Sequence, residues 1–268
     1  MAIDLVMGDS IFSTGVSIDV PVSEGLVSFG LGGDMLGINL VEGGVVPTVV
    51  GNPIRMDAKS SKLGSFGYLD LNIKETENFT YISVNKIWTP TGLSACNLIG
   101  TFQTTSATGV TVAGTGLIME ANGYRTAVAS VYDGTPAGAT VISDNISVTN
   151  GTSPPPATED TATWRFLAAI YDGNGDFGSG ETANKRRYII DKTVGATLNR
   201  RNADLTMVRD LRGKDTIRVG NMGSRLTQTS TTIMGAYAVY NRALTAAEFD
   251  LMYKRMQEIA VANGWNAI

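Results

Sequence analysis

The sequence contains no histidine and a single cysteine, Cys96. Without imidazole, Ser-His-Asp and Cys-His catalysis, histidine-ligated zinc and imidazole acid–base steps are excluded. One cysteine cannot close an internal disulfide, and Cys96 reads as a small buried apolar side chain rather than a reactive thiol. Charged residues are scarce at 17%, and their net charge of −4 argues against general nucleic-acid affinity. No uninterrupted apolar run approaches the roughly twenty residues of a membrane helix, so membrane insertion is not expected. Residues 1–15 carry no Lys or Arg, and Asp4 and Asp9 interrupt their apolar positions. That opening lacks the basic and continuous apolar regions of a signal peptide, so synthesis and folding in a cytoplasm are expected.

What the chain does have is glycine, 31 residues in 268, as expected of many short strands joined by tight turns. Period-two segments recur, among them Gly67-Tyr-Leu-Asp-Leu, Phe79-Thr-Tyr-Ile-Ser-Val, Arg125-Thr-Ala-Val-Ala-Ser-Val-Tyr, Trp164-Arg-Phe-Leu-Ala-Ala-Ile-Tyr and Ile233-Met-Gly-Ala-Tyr-Ala-Val-Tyr. Alternation with β-branched and aromatic residues is the half-buried strand signal. Asp133-Gly, Asn150-Gly, Asp172-Gly and Asn174-Gly punctuate it as turns. The proline-rich Thr152-Ser-Pro-Pro-Pro reads as a surface loop within one domain. Strands at this density without intervening helices predict an all-β sandwich.

One helix is specified, over residues 245–263. Thr245-Ala-Ala-Glu248 is a capping box, and Phe249, Met252, Tyr253, Met256 and Ile259 follow at helical spacing as one apolar stripe. Gly264 suits the C-terminal cap. Such a stripe needs a surface to lie on, which here is the sandwich.

The closing stretch, Gly-Ala-Tyr-Ala-Val-Tyr-Asn-Arg-Ala-Leu-Thr-Ala-Ala-Glu-Phe at 235–249, resembles the final strand and short helix of laminin-G-like, concanavalin A-like jelly-roll domains. Leu63-Gly-Ser-Phe-Gly-Tyr-Leu-Asp-Leu, Glu77-Asn-Phe-Thr-Tyr-Ile-Ser-Val, Thr163-Trp-Arg-Phe-Leu-Ala-Ala-Ile-Tyr-Asp-Gly, Lys185-Arg-Arg-Tyr-Ile-Ile-Asp and Ile217-Arg-Val-Gly resemble earlier strands of such domains, in the expected order. The resemblance implies one antiparallel jelly-roll domain over residues 23–268, preceded by an arm at 1–22. The helix exceeds the one or two turns usual in that family, which points to an assembly contact through its outer face.

Some relatives in that family hydrolyse glycans with carboxylates spaced E-x-D-x-x-E along one strand. No such run occurs, and Glu75 and Glu77 share a face within a polar segment expected to be exposed. Carbohydrate binding, the family's common activity, needs aromatic rings beside polar groups. Trp88, Tyr124, Tyr132 and Phe177 are the candidate sugar contacts, with Trp265 also near an end; Trp164 and Tyr240 read as core. Asp172, Asn174, Asp176 and Glu181 offer hard oxygen ligands for Ca²⁺ on a glycine-rich loop. That loop departs from an EF-hand at Phe177 and Ala183, and a solvated hairpin is the alternative.

Charge is unevenly placed. Residues 1–54 hold six acids and no Lys or Arg, whereas residues 185–225 hold eleven basic residues against four acids. Attraction between such regions of neighbouring subunits would place Asp4 and Asp9 against Arg186, Arg187, Arg200 and Arg201. Three functional classes stay open: a non-catalytic bacteriophage virion protein (tail appendage or capsid decoration) touching host-surface glycans, a stand-alone glycan-binding module, and a glycoside-active enzyme. The first implies a homo-oligomer, with a trimer favoured, and other virion proteins as partners at a virion surface.

Overall fold

The computed structural model describes residues 19–88, 95–120, 124–148, 163–173, 177, 185–201, 205–224, 228–265 and 268. Two eight-stranded antiparallel sheets face one another. The first orders β15 (Ala196–Arg201), β14 (Arg186–Asp191), β13 (Arg165–Asp172), β6 (Phe79–Trp88), β18 (Thr231–Tyr240), β4 (Ser61–Leu63) and β3 (Ile54–Arg55), with β1 (Leu26–Leu31) also paired to β18. The second orders β12 (Val141–Val148), β11 (Arg125–Tyr132), β10 (Thr115–Met119), β7 (Cys96–Gly100), β17 (Arg218–Val219), β5 (Gly67–Asp70) and β2 (Thr48–Gly51), with β16 (Val208–Arg209) on β11. A small ribbon joins β8 (Thr104–Thr105) to β9 (Thr111–Val112).

Alternation decides which face each side chain serves. On β13, Leu167, Ala169 and Tyr171 point into the space between the sheets, with Phe79, Tyr81, Leu117 and Met234. Phe166, Ala168 and Ile170 point the other way, onto a second apolar layer with Phe29, Ile82 and Tyr240. Helix α1 (Ala246–Ala262) closes that layer with Phe249, Met252, Met256 and Ile259, the stripe read from the sequence. The first sheet is therefore the middle of three layers, buried on both faces. None of the described helices is long and apolar enough to cross a membrane.

The helix entry is built as expected. Thr245 Oγ1 accepts from the Glu248 backbone N–H, and Glu248 Oε2 accepts from the Thr245 N–H at 2.8 Å. Arg242 binds both oxygens of Glu248, at 2.7 and 2.9 Å, and this holds the carboxyl down at about 2 against the opposing effect of burial. Beyond the helix Gly264 takes φ +72°, and Trp265 folds back to stack on Trp164 at 4.7 Å. A side chain at Gly235 would meet the Trp265 ring at 2.7 Å, so this strand position must be glycine. Trp265, expected near the surface, is instead 4% exposed core, beside Trp164 and Tyr240.

Packing extends into the span expected to be an arm. Val22 is buried and its carbonyl accepts from Tyr240 Oη at 2.9 Å, while Val20 packs on the helix-side layer. Asp4 and Asp9 lie outside the described residues. Cys96 is buried, as its sequence context implies, and burial pushes its thiol up to about 12.

The space between the sheets ends in charge. At one end Arg125 Nε lies 3.0 Å from Asp191 Oδ2, both side chains fully buried, with Arg165 at 3.9 Å. Asp191 Oδ1 also accepts from the N–H groups of Thr193 and Val194, capping a short helical turn. At the other end Arg209 Nη2 lies 3.3 Å from Glu75 Oε2, and its guanidinium sits over Tyr171 and Phe79.

Candidate binding site

Strand β11 carries Tyr132 to the end of the second sheet, where Asp133-Gly134 turns the chain with Gly134 at φ +84°. β16 pairs with Val131 and Tyr132 and so brings residues 208–212 alongside that turn. The two arginines of this segment face different ways. Arg209 turns inward to Glu75, and Arg212 turns outward over the Tyr132 ring at 4.1 Å.

The Arg212 guanidinium is fixed in place. Nε and Nη2 bind the Asp210 carboxylate at 2.8 and 2.7 Å, Nη1 donates to the Pro136 carbonyl, and Nη2 donates to the Gly138 carbonyl, each at 2.9 Å. Thr140 Oγ1 also donates to Asp210 Oδ2. Burial would raise the Asp210 carboxyl, but the bonds from Arg212 and Thr140 prevail and hold it below the usual range. Asp133 is exposed; its Oδ1 accepts from the N–H and hydroxyl of Thr135, each at 2.9 Å, and those bonds lower its carboxyl. Its Oδ2 has no partner among the described residues. The result is a rigid patch with an aromatic ring, a guanidinium plane, an open carboxylate oxygen, and the exposed side chains of Val208 and Leu211. Such a surface can take a ligand with apolar faces and hydroxyl donors.

The other sequence candidates lie apart. Phe177 packs against Tyr188 at 4.6 Å and Phe249 at 5.8 Å, so its ring fills the helix-side layer instead of facing solvent. Tyr124 is half-buried just before β11, and Trp88 closes β6. Asp172 is fully buried, and its Oδ2 accepts from the Phe177 N–H at 2.7 Å, so it shapes the loop. Asn174, Asp176 and Glu181 fall outside the described residues. No described cluster of three or more acidic or cysteine side chains could hold a metal.

Glu75 is not on an exposed segment: its side chain is 8% exposed and accepts from Thr115 N and Oγ1 at 2.8 and 2.9 Å and from the Thr101 hydroxyl. Those partners hold its carboxyl group facing Arg209, while Glu77 remains exposed. Among the assembly candidates, Arg187 is 1% exposed because its β14 position points between the sheets. Arg186 stands at the surface and donates to Asn199 Oδ1 at 2.8 Å. Arg200 and Arg201 complete the edge strand β15.

Sequence reading found Tyr132 and the Asp133-Gly turn but missed Asp210, Arg212 and Thr140. Arg212 meets the turn from more than seventy residues away, and nothing local marks it. One other concavity, a groove of about 290 Å³ beside α1, is lined by Asp19, Pro21, Leu251, Lys254, Arg255 and Glu258, without an aromatic ring for a sugar.

Comparison of this architecture with solved structures finds botulinum neurotoxin binding domains. The receptor-binding domain of botulinum neurotoxin D superposes with a TM-score of 0.55 at 12% identity, over 87% of this chain and 53% of that one. The serotype D ligand-binding domain in complex with N-acetylneuraminic acid gives 0.53 at 12%, over 87% and 52%. The binding domain of botulinum neurotoxin DC in complex with rat synaptotagmin II gives 0.54 at 11%, over 88% and 53%. The likeness is one of fold. This chain spans about half the length of those neighbours and shares a β-sandwich fold with them. No protein-family model and no curated protein matches the sequence.

Proposed function

We propose that this chain is a non-catalytic, carbohydrate-binding β-sandwich of the concanavalin A-like kind, displayed on a bacteriophage virion as a tail appendage or capsid decoration. The observation that carries the binding role is the Tyr132–Arg212 patch, where a clamped guanidinium and ring stand beside the open Asp133 oxygen on rigid strand ends. Support for binding over catalysis comes from the neighbours, which are binding domains, and from Glu75, whose salt bridge to Arg209 ties it into the fold. The sialic acid complex belongs to a neighbour that overlaps this chain over half its length, so the ligand here is left as a host-surface glycan. Support for the virion role comes from composition: a chain without histidine or disulfides, rich in glycine.

A glycan array followed by titration calorimetry tests the binding role. Tyr132→Ala and Asp133→Asn should each weaken the bound glycan by about tenfold or more, in line with about 1–3 kcal/mol for such contacts. An array with no binder at millimolar glycan overturns it. Mass spectrometry of purified particles tests the location, and finding the chain only in the free bacterial proteome overturns that part.

A further inference from the structure

The second sheet ends at β2, and among the described residues no strand pairs with its outer edge. Sheet edges in natural proteins are normally guarded by charge, proline or cover. The far edge of the first sheet follows that rule: β15 ends in Arg200-Arg201 and is flanked by Arg186. β2 does not. Its sequence is Thr-Val-Val-Gly, and in the twenty residues 35–54 the only charged side chain is Glu42.

Around this edge the apolar surface is concentrated. Val46 is 71% exposed, Val45 49%, Val49 45% and Ile38 43%, with Ile54 and Phe66 on the adjoining edge. The backbone that presents them is held by side chains: Asn39 Nδ2 donates to the Val45 carbonyl at 2.9 Å, and Asn72 Nδ2 donates to the Val46 carbonyl and Thr48 Oγ1 at 2.9 and 3.0 Å. Exposed apolar side chains gathered along a fixed strand edge mark a protein contact.

We propose that β2 is the contact edge of a two-fold homodimer, in which β2 of each copy pairs antiparallel with the other and continues the second sheet across both. An open strand edge is satisfied by another strand. A two-fold axis lays the same patch on itself, which suits a surface whose exposed side chains are mostly apolar. The pairing ladder spans only about 13 Å for four residues, so Ile38, Val45 and Val46 must supply much of the buried surface. Four strands separate β2 from β11 in the second sheet, so the dimer leaves both Tyr132 patches open. The contact does not depend on the carbohydrate reading.

Sedimentation equilibrium on the intact chain tests it. The wild type should be a dimer whose dissociation constant rises at least about thirtyfold in Val46→Glu, the effect of losing one central contact. Leu198→Glu, on the guarded edge, should leave the dimer unchanged. Val45→Lys is a second variant at an exposed position, so a folding defect in one does not decide the matter. A monomer at all concentrations overturns the proposal, as does a trimer, or a dimer indifferent to both Val46→Glu and Val45→Lys.

Discussion

The two layers on either side of the first sheet are built on different terms. The helix side is mainly apolar, with Thr80 buried there on hydrogen bonds to residues 242 and 244: Phe166 meets Phe249 edge-on at 5.8 Å, Trp164 stacks on Trp265, and Met252 and Met256 fill the gaps. The inter-sheet side has an equally apolar middle, but Arg125–Asp191 and Glu75–Arg209 lie at its ends, buried and paired. A helix stripe can be apolar along its length because its other face meets water. Inward strand positions near the end of a sandwich are buried without such relief, and there Arg125 of the second sheet meets Asp191 of the first. Burying the charges is costly, and the pairing mainly prevents a larger loss. The difference therefore predicts that the ionic ends fail abruptly when one partner is removed, whereas the apolar side erodes with the volume deleted.

The largest expected effect is at the ionic end. Asp191→Ala removes the carboxylate shared by Arg125 and Arg165 and the cap of the turn at Thr193, and should cost about 3–5 kcal/mol in urea unfolding. A loss below about 1 kcal/mol would place this pair with surface ion pairs and erase the contrast. On the apolar side, Met252→Ala should cost about 3 kcal/mol through the cavity it leaves, and Met252→Leu less than about 1.5. Thr245→Ala should cost about 1 kcal/mol, since it removes one capping bond while the stripe stays packed. The smallest effect is in acid. The Glu248 carboxyl is held near 2 in the folded chain, below its ordinary value of 4.5. Its contribution is present above about pH 4.5 and is lost as pH falls toward 2. Melting temperatures of wild type and Glu248→Gln should therefore converge between pH 5 and 2; parallel curves would remove Glu248 from the acid response.

Legibility in the sequence follows the same division. Helix α1 was legible to within a residue at each end, because capping box and stripe are local signals. Strands β11, β13 and β18 were legible from alternation and aromatic content. β7 and β10 were not, because Cys-Asn-Leu-Ile-Gly and Thr-Gly-Leu-Ile-Met are only five residues long, set apolar residues side by side and carry no aromatic ring. Arg125, Arg187 and Asp191 occupy inward positions that a period-two reading assigns to solvent, and their burial depends on partners remote in sequence. Glu75 misled for the same reason. At the candidate site the ring and the turn were visible, but the arginine that covers the ring was not.

The placement of β18 has a consequence for biosynthesis. It lies between β6 and β4 and also pairs with β1, so an interior strand of the first sheet is the last of its described strands in chain order. Until residues 231–240 leave the ribosome, β1 has no neighbour to pair with and β6 is open along one side. The nascent polypeptide must keep β1 and one side of β6 unpaired until residue 240 has been made, so closure of the first sheet is a late event of high contact order.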